Sequence, residues 1–436
     1  MTRFIIYAGL ALFLFTGCNT TSSKSGQAEQ LSKFVDPFIG TAYHGHTYPG
    51  AAFPFGQIQL SPDNGTQGWD WCSGYHYSDS ILAGFSHLHL SGTGIGDLAD
   101  ISFLPVGTDV AFKKGENNAD FISRYAGKYS HDQESAKPGF YSVILKDSDI
   151  KAELTVTERA GLHRYTFPEK GENNLIINLG FAINWDKPYK TSMTVVDSKL
   201  VTGSRLSTGW AKDQHVYFAA RFSSPIASSA IDTVGGDART VGVLQFKEKQ
   251  IMVKVGISSV SAENALANLD ASLPGWDFEG TAQAASEAWD EALSKINIES
   301  SDTDQKKIFY TSLYHTMVAP SLFSDLNGEF KGVNGDVQKA NGYNRYTVFS
   351  LWDTYRALHP LFTLTQQSRV NDMVKSMLDH YKQTGLLPVW ELHGNETWCM
   401  VANHSISVIA EAILKEIGDF DHELAYEAMK TTSMYN

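Results

Sequence analysis

The sequence predicts a multidomain β + α chain, an antiparallel β-sandwich followed by the start of an α/α helical assembly. Three observations predict it. Residues from about 34 to 260 alternate apolar and polar side chains in short runs, separated by Gly, Pro, Asn and Asp clusters. Beyond about residue 280 the apolar residues recur at helical spacing instead. The chain has 436 residues, a hydrophobic share of 42% and a charged share of 19%, which is enough apolar material for more than one core.

The first 17 residues, MTRFIIYAGLALFLFTG, combine one basic residue with an apolar run from Phe4 to Phe15. That run is too short to span a membrane stably and reads as a secretory leader. The FTGC ending has the form of a bacterial lipobox, which makes Cys18 the expected lipid attachment point. Residues 18–33 then form a polar tether. With Cys18 lipidated, Cys72 and Cys399 remain, and their separation gives no disulfide framework, so both are expected free or packed. Net charge is −13; without the leader and its one positive charge, Arg3, it is −14. Such an acidic chain is repelled by phosphate backbones, so nucleic acid is not an expected partner. An aromatic share of 12% beside so many carboxylates suits a neutral, hydroxyl-rich ligand such as a sugar.

The sandwich is expected at residues 34–265. In KAELTVTER (151–159), Ala152, Leu154 and Val156 share one face while Glu153, Thr155 and Thr157 share the other. LIINL (175–179), VYFAARF (216–222), VGVLQF (241–246) and QIMVKVGI (250–257) are further β-branched or aromatic runs. Linker helices are expected over 266–300, where Ala282, Ala285, Trp289, Leu293 and Ile296 fall on one face. The helical part, 301–436, carries apolar stripes at Phe309, Leu313 and Met317, at Met373, Val374, Met377, Leu378 and Tyr381, and at Ile406, Ile409, Ile413 and Ile417. YTVFSLWDTYRALHPL (346–361) reads as a buried helix with a polar cluster, Trp352, Asp353 and Arg356, turned inward. Buried polar groups of this kind need partners, and a ligand site at a helix mouth supplies them.

Two regions concentrate chemistry-bearing residues. Trp69, Trp71, Tyr75, Tyr77, His87 and His89 lie within 21 residues, interleaved with Gly that lets a ligand approach the backbone. His87 and His89 alternate on a predicted strand, the pattern of a metal pair or of two satisfied structural histidines. GTGIGD (92–97) lacks the strand-loop-helix context and the Lys of a phosphate loop. The second region runs from Phe323 to His404, where Glu391 and Glu396 sit beside Trp390 and Trp398. Two carboxylates among aromatics are what glycoside hydrolysis requires, one to protonate the leaving oxygen and one to activate water.

The blocks VDPFIGT, PGAAFPFGQIQLSPD, GYHYSD, GFSHLHLSGTG, FSDLNGEFKG and above all FSLWDTYRALHPLF resemble glycoside hydrolase family 92, the α-mannosidases of gut Bacteroidetes, over nearly all of the chain from Phe34 onward. The resemblance implies an N-terminal β-sandwich with an incomplete (α/α)6 toroid. It also implies calcium-dependent, inverting removal of terminal α-linked, commonly 1,2-linked, mannose from N-glycans or mannan. By similarity Trp71 and Asp353 contact the terminal mannose. Trp352, Thr354 and Arg356 position the aspartate, Glu391 and Glu396 line or brace the mouth, and Trp69 and His87 complete the substrate-binding candidates. The match departs from the family in one respect. The family's acid block, resembling Y-V-E-G-N, its later aspartate block and its G-N-E-P-S-H-H motif do not occur, and GNET (394–397) is only a partial likeness. The chain is therefore expected to be an N-terminal fragment without hydrolytic activity, its acid, base and most calcium ligands lying beyond Asn436. An alternative is a non-catalytic glycan-binding surface lipoprotein. Either would be exported and lipid-anchored in the periplasm or outer membrane of a Gram-negative bacterium.

Overall fold

A computed structural model describes residues 29–65 and 68–435. The leader, the lipidation expected at Cys18 and the tether up to residue 28 lie outside the described residues. Leu31–Asn436 is one compact unit.

Two antiparallel sheets form the sandwich. The first runs in the order Ala51–Ala52, Gln59–Asp63, Gly84–Ser86, Ser102–Val106, Asn174–Asn178, Thr240–Gln245 and Ser228–Thr233. The second runs Lys187–Asp197, Leu200–Thr208, Gln214–Phe222, Gln250–Ser258, Ala160–Thr166, Ile150–Val156, Phe140–Leu145 and Glu134–Lys137. Their inner faces share one core, to which Phe103, Leu175 and Ile177 come from the first sheet and Tyr141, Leu154, Phe218 and Val253 from the second. Phe140–Leu145 shows the alternation expected of a sheet with one covered face, burying Tyr141, Val143 and Leu145.

Ile150–Val156 differs from the expected alternation, since Glu153 and Thr155 are buried as well. The outer face of this sheet is also covered, because the helix Phe278–Leu293 packs on the strand. The Thr155 hydroxyl donates to Gly139 O at 2.7 Å, and Glu153 is held by Arg164 and Lys151. The helix Ala262–Ser272 covers the neighbouring strands in the same way, setting Leu269 and Leu273 on Ala160 and Leu162. Its close approach depends on Gly256, where a Cβ would lie 2.3 Å from Ala265 O.

The helical half comprises Thr303–His315, Leu358–Thr365, Gln367–Thr384, His404–Leu414 and His422–Ser433. The predicted stripes supply its core: Leu313, Met317, Met373, Val374, Met377 and Ile409 are buried together. The start of the described chain belongs to this core too. Leu31, Val35, Tyr48 and Phe55 pack into it, Trp289 Nε1 donates to Ala52 O at 2.7 Å, and the Phe55 ring lies 5.4 Å from that of Phe362. The N-terminal segment therefore staples the two halves together.

The single buried helix expected over 346–361 is not one helix. Phe349–Ser350 is a short strand paired with Trp390–Glu391, Leu351–Thr354 is one helical turn, and a separate helix begins at Leu358. Pro360 gives the reason. Its missing N–H is harmless in a first turn, but inside a continuing helix its ring would clash with the carbonyl of Arg356 and push His359 out of the α region. The break turns the LWDT segment into an exposed corner.

Candidate functional site

At this corner the Asp353 carboxylate is exposed and accepts a hydrogen bond from the Ser350 hydroxyl. Thr354 Oγ1 donates to Ser350 O at 2.9 Å, so both side chains tie the turn to its first residue. Trp352 does not join Asp353 at the surface; it leans against the sandwich core, as do Val348 and Cys399. Arg356 is exposed. Asp353 thus stands at the seam between the halves with an orientation fixed by its own turn.

Behind it lies the loop that sequence reading selected for its glutamates. Glu396 is nearly buried and its carboxylate accepts three backbone N–H groups, from Val389 at 2.8 Å, Trp390 at 3.0 Å and Trp398 at 2.8 Å. Glu391 is 0% exposed; its Oε1 accepts Gly394 N–H at 2.9 Å and lies 3.7 Å from Arg345 Nη2. Burial raises both carboxyls above the ordinary range. They brace the loop from inside and do not stand as an acid and base at its surface. Replacing Glu396 by Gln puts an amide NH2 where a backbone donor needs an acceptor. The expected result is a loss of about 1–3 kcal/mol in denaturant unfolding.

The braced loop is strained. His393, Trp398, Met400 and Asn403 all have positive φ, and so does β-branched Val348 across from it, at 65°. Trp398, Met400 and Val401 are exposed on it. Its other end meets the sandwich: Asp213 N donates to Asn395 Oδ1 at 3.0 Å, Asn395 Nδ2 donates back to Asp213 O at 3.0 Å, and the rings of Trp210 and Trp390 are 4.3 Å apart.

On the sandwich side, Trp69–Trp71 is a single 3-10 turn. Trp69 is 54% exposed and donates from Nε1 to Gly94 O at 2.6 Å. Trp71 is half-buried, stacked on the His76 ring at 4.4 Å with its Nε1 donating to Asp79 at 2.9 Å. The GTGIGD segment supports this turn. A Cβ on Gly96 would lie 2.0 Å from Asn184 Nδ2, beside exposed Trp185, and Asp97 Oδ2 accepts Ala211 N–H at 2.8 Å, next to Trp210. Leu98, Ala99 and Ile101 follow with positive φ. Arg205, fully buried, clamps the region: Nη1 donates to Asp100 at 2.6 Å, Nη2 to Asp186 and to Phe181 O at 2.9 Å, and Nε to Leu179 O at 3.2 Å.

These contacts form a rim running from exposed Trp69 and Gly94 to half-buried Trp210, backed by buried Asp97, Ala211 and Trp390, and then along the loop to Cys399. The thiol of Cys399 is raised by burial and then by the charges of Asp353 and Glu396. Among the described residues no hydrogen bond, ion pair or ring contact joins the Trp69–Trp71 turn directly to Asp353. His87, counted among the candidates, is a correction. It is 0% exposed inside the sandwich, its Nδ1 2.7 Å from Ile101 O and its Nε2 3.0 Å from His163 Nε2. His89 is likewise enclosed, against Asp63 at 2.9 Å. Cys72 and Cys399 are free thiols.

Sequence reading missed Trp210, Asn395 and Arg205. Trp210 and Asn395 stand outside any motif, and an Arg in a strand carries no signal of which carboxylates it will meet. For calcium, implied by the resemblance, no ligand set is assigned. Among the described His, Cys, Asp and Glu side chains, the group close enough to share an ion is His44, His46 and Asp70, two nitrogens and a carboxylate, a set unlike the all-oxygen shell of calcium.

Comparison with known proteins gives consistent matches. The glycosyl hydrolase family 92 N-terminal domain matches residues 34–258, and the glycosyl hydrolase family 92 catalytic domain matches residues 264–436. A family GH92 α-mannosidase of Bacteroides thetaiotaomicron, solved alone and with mannoimidazole, is 38% identical with a TM-score of 0.88, over 94% of this chain and, in the unliganded structure, 57% of that one. A family GH92 inverting mannosidase of the same organism is 26% identical with a TM-score of 0.81, over 93% of this chain and 56% of that one. An uncharacterized secreted glycosidase of Arthroderma benhamiae is 27% identical, over 91% of this chain and 51% of its own. The chain thus spans a little over half the length of the relatives it matches.

Proposed function

The chain belongs to glycosyl hydrolase family 92, and from that premise we propose that it binds the terminal mannose of an α-mannoside at the seam between its halves. The observation that carries this reading is the exposed Asp353 carboxylate, oriented by Ser350 and Thr354 at the end of an aromatic rim. A carboxylate accepts hydrogen bonds from two neighbouring sugar hydroxyls, and indoles cover the apolar face of the ring. Exposed Trp69 and Trp398 and half-buried Trp71 are the indoles assigned this purpose, and exposed Arg356, three residues along the chain from Asp353, is a further donor. Thr354 and Trp352 position the turn. The complex of the 38% identical relative with mannoimidazole supports a mannose-shaped occupant.

The finer reaction, inverting and calcium-assisted cleavage of a 1,2-linkage, rests on the family resemblance. Acid and base in an inverting glycosidase stand roughly 6.5–9.5 Å apart with water between them. Glu391 and Glu396 serve as internal braces, so neither is assigned those roles. Export with a lipid on Cys18 is proposed from the leader and agrees with the secreted description of the fungal relative.

The test is calorimetric titration with mannoimidazole and its gluco-configured counterpart, together with an assay on α-1,2-mannobiose with calcium. Saturable binding that prefers the manno compound is expected. Equal affinity for both compounds would sink the mannose reading, and release of mannose would extend it from binding to cleavage.

A further inference from the structure

The segment preceding the sandwich strands and the Trp69–Trp71 turn hold a cluster that sugar recognition does not use. His44, His46 and Asp70 bring two ring nitrogens and a carboxylate oxygen within 4.8 Å of one another. His44 Nδ1 lies 2.6 Å from Asp70 Oδ1, and His46 Nε2 lies 3.6 Å from the same oxygen. His46 is 5% exposed, and its Nε2 is buried with no hydrogen-bond partner. A buried polar atom left unpaired costs stability and calls for an explanation. This one faces the other two donors.

The surroundings hold the imidazole in place. Gly92 N donates to His46 O at 2.7 Å, and the Trp69 ring packs edge-on against the His46 ring at 4.3 Å. His44, by contrast, is 70% exposed at its side chain, its ring 5.1 Å from that of Trp69.

We propose that His44, His46 and Asp70 form a binding site for a divalent transition-metal ion of the zinc type. Two imidazoles and one carboxylate suit such ions, whereas calcium prefers an all-oxygen shell. With zinc about 2.0–2.2 Å from each donor, tetrahedral donors stand about 3.3 Å apart. His46 and Asp70 are already close to that spacing. His44 must open its contact with Asp70 by about 0.7 Å on the same geometry, a small rotation for an exposed ring. Three protein ligands leave a further position to solvent. The ion would fasten the segment around residue 44 to the turn carrying Trp69 and Trp71, and so stiffen the sandwich-side rim.

The experiment uses the whole protein, stripped with a chelator and titrated with zinc chloride in the absence of sugar. One zinc per chain is expected. His44→Ala and Asp70→Asn, both at solvent-accessible positions, should each weaken it at least about tenfold, with His422→Ala on the helical half as an unchanged control. Zinc should also change the wavelength or intensity of part of the tryptophan emission, and Trp69→Phe, which removes the indole packed on both histidines, should remove that change. An absence of saturable binding, zinc affinity unchanged in both ligand variants, or equal competition by calcium would overturn the site. Because no sugar is present, failure here leaves the mannose reading standing.

Discussion

Asp353→Ala is expected to leave the protein folded and to weaken mannoimidazole binding by about 100-fold or more. The side chain is exposed and, among the described residues, bonds within its own turn through the Ser350 hydroxyl, so its removal exposes no buried partner. A hydrogen bond to a charged group contributes about 1.5–3 kcal/mol, and a carboxylate gripping two hydroxyls makes two of them. Even the lower figure, doubled, corresponds to about 100-fold. Asp353→Asn keeps the shape but loses the charge and one acceptor, and should fall between the wild type and the alanine variant. Calorimetry measures the affinity and circular dichroism checks the fold. Unchanged affinity in a folded Asp353→Ala protein would remove the carboxylate from the sugar site.

Arg205→Met is expected to have the largest effect on stability. Removing the guanidinium strands Asp100 and Asp186, both fully or nearly buried, and leaves Leu179 O and Phe181 O without their donor. Breaking one side of a buried ion network costs about 3–5 kcal/mol, because the surviving charges keep their desolvation penalty. The triple variant Arg205→Met, Asp100→Asn, Asp186→Asn removes the stranded charges and should recover much of that loss. Urea unfolding of the three proteins tests the scheme. A loss below about 1 kcal/mol in the single variant would show that water reaches the network and that the clamp is weak. The clamp holds the Asp97–Ile101 turn behind the aromatic rim, so the single variant should also bind mannoimidazole more weakly while still folded.

The Glu391 and Glu396 pair shows what residue type alone leaves open. Two glutamates among tryptophans suit hydrolysis, and they equally suit a loop whose backbone donors point inward. Only the path of the chain from Val389 to Trp398, which aims three N–H groups at one carboxylate, distinguishes these cases. His87 fails for a related reason. Alternation placed it on a strand face, but which face is covered depends on the second sheet, and His163 on that sheet is its partner.

By itself the sequence determined the two halves, their order, the helical stripes and the family blocks that select Trp71 and Asp353. Periodicity and local motifs are properties of neighbouring residues, and they survive without any long-range contact. The tertiary structure alone decided that Asp353 faces solvent from a broken helix and that Arg205 lies beneath the rim. It also decided that the opening segment around His44 and His46 meets Asp70. Each of these depends on which surfaces remain uncovered after packing, and on pairs of charges and donors brought together by chain segments far apart in sequence.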